Sequence, residues 1–232
     1  MLDLESILTW QGHLMATIDQ LVTRIARRLR RKAESGSNLQ GEILDELGTA
    51  QDFLEESATL PWFLEVRVER AITANVSSFL PSTTETFLRM RDDVPVKYID
   101  PTGAAVEDVF LPAQSELLIL FQRFPGTGEI PKEWVLDGAN IIVRPKPTQP
   151  ITYVIRFLGK DPTTPAEGAT TLWSTHYSAL LMNTAGREIA WTLRDTDATT
   201  RFEADLSIAR SEYIRSITAR EQAGQVHEMG DP

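Results

Sequence analysis

The residues with the strongest chemical character form one short run. Arg24, Arg27, Arg28, Arg30, Arg31 and Lys32 place six cations within nine positions. The chemistry open to such a run is ionic: contact with nucleic acid, or with the acidic surface of a protein. No aromatic residue interrupts it, so the stacking used to hold single strands is missing. A solvated helix end is a third reading, since each cation near a helix C-terminus contributes about 0.3–1 kcal/mol through the dipole. Six charges exceed that need. An opposite run follows, in which Glu42, Asp45, Glu46, Asp52, Glu55 and Glu56 bring six acids with no base among them. Contact with a partner protein, pairing within the chain, nucleic acid and a solvated end all stay open at this point.

Residues suited to bond-making chemistry do not converge. His13, His176 and His227 have no second histidine or carboxylate at a metal-ligand spacing such as HExxH. They read as surface or core residues. The chain carries neither a Walker loop nor a G-x-S-x-G elbow. Gly126-Thr127-Gly128 is a two-glycine loop without the strand-turn-helix setting of a phosphate cradle. Asp195 and Asp197 could face a metal, but a helix junction capped by aspartates explains them more simply. With no cysteine there is no thiol nucleophile, no disulfide and no Cys-ligated zinc. The expectation is a protein without catalytic, metal or cofactor-binding residues.

These residues ride on recognisable elements. Leu4, Leu8, Met15, Ile18, Val22, Ile25 and Leu29 recur at helical spacing and predict one long helix over 4–32, with Asp3 as N-cap. Ser35-Gly36-Ser37-Asn38 stops it. A second helix is expected over 39–58, on Ile43, Leu44, Leu47, Ala50, Phe53 and Leu54, with Pro61 ending it. The short loop makes the two antiparallel, so part of the basic run is expected to face the acidic one.

From residue 62 the period changes to two. Leu64, Val66 and Val68 predict a strand, and Val94, Val96 and Tyr98 another that runs into the Asp100–Gly103 turn. A short helix over 117–124 precedes a hairpin around Asp137-Gly138, and Ile151 to Leu158 is the strongest strand. Two helices close the chain, one over 175–194 with Ser174 as N-cap and one over 198–222. Gln225 to Pro232 has little to pack and is expected to be mobile unless a partner holds it. Trp62, Trp134, Trp173 and Trp191 read as core residues at element boundaries or on apolar faces. Trp62, between Pro61 and the first strand, is the expected structural hinge. Trp10 suits either ordinary packing or an intersubunit contact.

The resulting fold class is α+β, with terminal helices forming a bundle and a mainly antiparallel β domain inserted between them. The expected division is 1–60, a helical hairpin; 61–160, the β domain with one short helix; and 161–232, C-terminal helices returning to the first. The 232 residues are 42% hydrophobic, which excludes wholesale disorder. A formal charge of −10 argues against coating DNA through the whole surface. No run approaches the roughly 18 apolar residues of a membrane helix. The first residues carry acids where a secretory signal carries bases, which argues against that export route. The absence of cysteine favours a reducing compartment.

A set of marks in fixed order resembles one family. Ala50-Gln51-Asp52-Phe53-Leu54-Glu55-Glu56 followed by Leu60-Pro61-Trp62-Phe63-Leu64 is similar to the helix-to-strand passage of head-to-tail adaptor (connector) proteins of short-tailed bacteriophages. Leu80-Pro81 with Phe87-Leu88, and Tyr98-Ile99-Asp100 with Gly103, resemble the next two marks. Pro131, Trp134, Asp137-Gly138 and Ile141 to Pro147, then the strand Ile151 to Leu158, resemble its strand pair and the strand that follows. Asn183, Ala190-Trp191 and Arg194-Asp195 are similar to its C-terminal helices. The resemblance spans residues 40 to 210. It implies a non-enzymatic virion protein assembled in the host cytoplasm. Twelve copies would form a ring beneath the portal protein and offer a platform to the tail nozzle or tail tube. DNA would pass through the ring without sequence-specific binding, and no membrane is involved. Arg24, Arg27, Arg28, Arg30, Arg31, Lys32, Glu42, Asp45 and Glu46 are then candidates for assembly or partner contacts. The alternative is a nucleic-acid-binding module using Arg24 to Lys32.

Overall fold

The computed structural model describes residues 16–57, 61–90, 96–99 and 108–228. In chain order the helices α1 (Ile18–Arg28) and α2 (Asn38–Glu55) lead to a 3-10 turn, Trp62–Leu64. Strands β1 (Glu65–Ile72), β2 (Ser78–Phe79), β3 (Phe87–Met90), β4 (Val96–Ile99) and β5 (Asp108–Phe110) precede α3 (Leu117–Arg123). Then come β6 (Thr127–Gly128), β7 (Glu133–Asp137), β8 (Asn140–Arg144), β9 (Lys146–Pro147) and β10 (Ile151–Gly159). Helices α4 (Leu172–His176), α5 (Ser178–Thr192) and α6 (Thr196–Glu228) complete the fold, which is α+β. The chain divides into two compact units. One joins the residues up to Phe63 with those from Asp161 onward, and the other is Leu64–Lys160.

In the helical unit α5 packs against both α2 and α6, and α1 lies against α2 and α5. The apolar stripes explain this arrangement. Ile18, Leu21 and Ile25 of α1, Ile43 and Leu47 of α2, Leu181 and Ala185 of α5 and Phe202 of α6 are fully buried. At Gly186 the α5 backbone meets the Phe202 ring so closely that a Cβ there would collide with it. Thr17 and Ser37 cap α1 and α2, their hydroxyls accepting from Gln20 N (3.4 Å) and Gln40 N (3.3 Å).

Several element limits differ from the sequence reading. The first helix ends at Arg28, not residue 32, because Arg30 takes a left-handed conformation (φ 55°). Arg30 N donates to Arg27 O and Arg31 N to Ala26 O, the two bonds of a Schellman closure, with arginine where glycine usually sits. The first helix also begins only at Ile18, where Thr17 in an extended conformation is the N-cap, so one continuous helix over 4–32 does not form; the stretch before residue 16, with Asp3, Trp10 and His13, lies outside the described residues. The second helix is closed at Glu56, before Pro61 can act. Ser174 is not an N-cap. Thr171 caps α4, and Ser174, three residues on, returns the bond in a capping box (Ser174 N to Thr171 Oγ1 3.0 Å, Thr171 N to Ser174 Oγ 2.9 Å). The last helix starts earlier, after Asp195, and continues through Gln225 to Glu228, so that part of the expected mobile tail is helical.

In the β unit, β10 is central. It pairs antiparallel with β1 along its length on one edge, and with β4 and then β3 on the other, and β4 pairs with β5. Nearly every β10 residue is buried. Tyr153, Ile155 and Phe157 share their core with Trp134, Ile141 and Val143 of a second sheet, ordered β2-β8-β7. The far side of that sheet buries Val135 and Ile142 under Leu120 of α3. Gly138 (φ 58°) makes the tight β7–β8 turn possible. The Gly126–Gly128 segment is not a plain loop, since Thr127 and Gly128 pair parallel with Lys146 and Pro147. The Asp100–Gly103 turn lies outside the described residues.

Candidate assembly surface

The structure splits the basic run. Arg28 points into the bundle: its Nη1 donates to Asp205 Oδ2 at 2.6 Å and to Asn183 Oδ1 at 2.9 Å, and its guanidinium lies 5.5 Å from the Phe202 ring centre. It therefore ties α1 to both α5 and α6. Arg24, Arg27, Arg30, Arg31 and Lys32 are exposed, and no ion pair engages them among the described residues. Helical spacing explains the split. Arg28 falls three residues after Ile25 on the buried side of α1, whereas Arg24 and Arg27 lie on the other side with Gln20 and Thr23. Those four, with Asp19, line a shallow groove of about 390 Å³. Asp19 also accepts from Gly168 N (3.1 Å), and Arg201 Nη2 donates to Arg28 O (3.4 Å), covering one of the last carbonyls of α1.

The acidic run divides in the same manner. Glu42, Asp45, Asp52 and Glu56 are exposed, and Glu46 is half-buried. The Glu46 carboxyl is pushed above the ordinary carboxylate range, first by burial and then by the nearby Glu188 carboxylate of α5. Glu55 leaves the acidic surface altogether. It is 2% exposed, and its Oε1 accepts from Trp173 Nε1 and from Asp161 N, both at 3.2 Å. The expected pairing between the two runs does not occur among the described residues. The cation that finds a partner finds it on α6, 177 positions away. Asp205 and Asn183 are the partners the spacing could not indicate.

The remaining candidates resolve into structural roles. His176 stacks on Phe63 (ring centres 4.7 Å) and meets Trp62 edge-on (5.1 Å). Asp195 Oδ1 accepts from Ala198 N at 2.9 Å, so this aspartate caps α6. The His227 side chain is outside the description. Among the described residues no group of three His, Cys, Asp or Glu could hold a metal ion. No described helix is long and apolar enough to cross a membrane. Trp134 and Trp173 are core residues, but Trp62 and Trp191 are not. Trp191 is 72% exposed at the end of α5, and Trp62 is 41% exposed while its neighbour Phe63 is buried against Trp173 and His176. The expected hinge position thus carries an exposed ring beside a buried anchor. Phe53, on the α2 face that carries Asp52 and Glu56, is 53% exposed.

The exposed groups are therefore two charged sets, five cations on α1 and the loop after it and a line of carboxylates on α2, together with exposed aromatic rings. Such sets can bind a macromolecule of matching charge, and among the described residues no nucleophile, base and orienting group meet. Compared with known proteins, the chain matches no protein-family model and no curated protein.

Proposed function

We propose that this chain is a head-to-tail adaptor of a short-tailed bacteriophage, a virion protein that acts by assembly and not by turnover. Its copies would form a ring, twelve by the family resemblance, between the portal protein and the tail nozzle or tube, around the DNA exit channel. The observation that carries this reading is the presence of opposite, exposed charges on two successive helices of one bundle, Arg24 and Arg27 on α1 and Glu42 and Asp45 on α2. A surface of this kind is completed by another molecule, and a head-to-tail ring needs two different complementary patches on each copy. An inserted β unit between helices drawn from both ends of the chain agrees with the resemblance. A net charge of −10 also suits a conduit along which a duplex slides without adhering. In this reading the helical unit faces the portal and the β unit contributes to the ring wall or the tail-facing platform. Mixing the purified chain with portal rings tests it. The expected result is a stable complex with one adaptor layer on each portal. No complex, with the chain alone also remaining a monomer, would refute the reading.

The five exposed cations favour one second reading, a nucleic-acid contact. It predicts affinity for duplex DNA that falls steeply with salt. Reversing Arg27, Arg31 and Lys32 to glutamate would abolish that affinity if the reading holds. Arg28 is unsuitable for this test because its loss would disturb the bundle.

A further inference from the structure

On the premise that the chain assembles with itself, we infer which surfaces meet: α1 of one copy docks on α2 of the next. The stripe on α2 consists of Glu42, Asp45, Thr49, Asp52, Phe53 and Glu56, which recur at helical spacing and are all exposed. It runs about 21 Å along the helix at 1.5 Å per residue. The facing ribbon is Arg24 and Arg27 on α1, continued by Arg30, Arg31 and Lys32 beyond its Schellman closure. Among the described residues no ion pair joins Arg24, Arg27, Arg30, Arg31 or Lys32 to Glu42, Asp45 or Glu56, although α1 and α2 are neighbours in the bundle. Both helices turn their apolar stripes inward, which leaves both charged sets exposed.

The occupant follows from the charges. A polyanion would satisfy the arginines and be repelled by the carboxylates. A cationic partner would do the reverse. Only a molecule carrying both signs at this spacing satisfies both faces at once, and a second copy carries them by construction. Such a contact is heterologous, so repeating it produces either a closed ring or an open filament. Phe53 supplies the apolar centre that rim charges alone lack, since interface energy concentrates in buried aromatics, while charges set register and encounter rate.

The test is a charge exchange. One variant is Arg27→Glu/Arg31→Glu, which makes both faces acidic. The other is Glu42→Arg/Asp45→Arg, which makes both basic. Mass is measured under native conditions, alone and with portal protein. Each variant by itself is expected to associate at least about tenfold more weakly than the wild type, a change of about 1.4 kcal/mol. An equal mixture is expected to regain assembly, because every contact between unlike variants is again of opposite sign. Association of the unaltered chain is expected to weaken with salt. Variants that assemble like the wild type would overturn this interface and leave the adaptor reading standing. A mixture that stays dissociated would also overturn it. A wild-type chain that neither self-associates nor binds portal would overturn both. If a variant fails to fold, the absence of native cysteine offers a second route. Arg27→Cys chains mixed with Asp45→Cys chains should crosslink through a short bismaleimide several-fold faster than with Thr218→Cys chains, which carry the thiol on exposed α6. Equal rates would overturn the proposal.

Discussion

Arg28 and Asp205 meet at 2.6 Å across the helical unit, although 177 residues separate them in the chain. The pair is half-exposed, so its ionic part alone is worth at most about 1 kcal/mol. The same guanidinium also donates to buried Asn183 and lies over the Phe202 ring, which adds a charge-assisted hydrogen bond and a cation–π contact. One arginine of the basic run is therefore a fastener, and its neighbours are surface.

This difference is measurable. Arg28→Ala is expected to lower unfolding free energy by about 2 kcal/mol, and Arg27→Ala by less than about 0.5 kcal/mol. Urea unfolding of both variants checks this. Equal losses would show that Arg28 has no special place.

Arg30 occupies the left-handed position of a Schellman closure, which costs a non-glycine residue about 1–2 kcal/mol. Arg30→Gly is expected to raise stability by roughly 0.5–1 kcal/mol after the entropy of glycine in the unfolded chain is subtracted. A fall in the urea midpoint would contradict that conformation.

Glu46 sets a pH dependence. Its folded-state pKa is raised above the unfolded value, by burial first and then by Glu188. Between the two values the native state holds more protons, so stability declines as pH rises through that window, and the full penalty is present above the folded-state value. Glu46→Gln should therefore stabilise the chain near neutrality and gain little at roughly pH 4, where the carboxyl is largely protonated. Urea midpoints of both proteins at the two pH values provide the check. A gain that grows as pH falls would have the wrong sign.

Phe63 is the anchor beside the expected hinge. It is buried among Trp173, His176 and Tyr177, whereas Trp62 is 41% exposed. Phe63→Ala is expected to cost about 3–4 kcal/mol, as aromatic truncations in cores do, and Trp62→Ala about 1 kcal/mol. Thermal unfolding distinguishes them, and the reverse order would return the anchoring role to Trp62.

What could be read from the sequence follows the range of the forces involved. The Asp137-Gly138 hairpin and the strand from Ile151 were legible because turn chemistry and period-two patterning are local. The helical stripes showed Ile25, Ile43, Leu47 and Phe202 as core. The Arg30 closure was not legible, since arginine carries no left-handed signal and the bonds to Ala26 and Arg27 form only once the helix exists. Glu55 was counted with the surface acids because its type says exposed, while Trp173 and the Asp161 amide, more than 100 positions away, supply the donors that allow its burial. Trp191 misled in the opposite sense: its size says core, and the end of α5 leaves it in the open. The candidate surface was visible as two charge runs, but which member of each run turns inward depended on tertiary contacts.

The central claim is that copies of this chain complete one another. Native mass measurement of the purified 26.0 kDa chain at low salt, alone and with portal protein, tests it most directly. The account predicts a closed multiple of the chain mass, twelvefold by the family resemblance, alone or seated on the portal, and its dissociation as salt is raised. A single-chain mass under both conditions would contradict it.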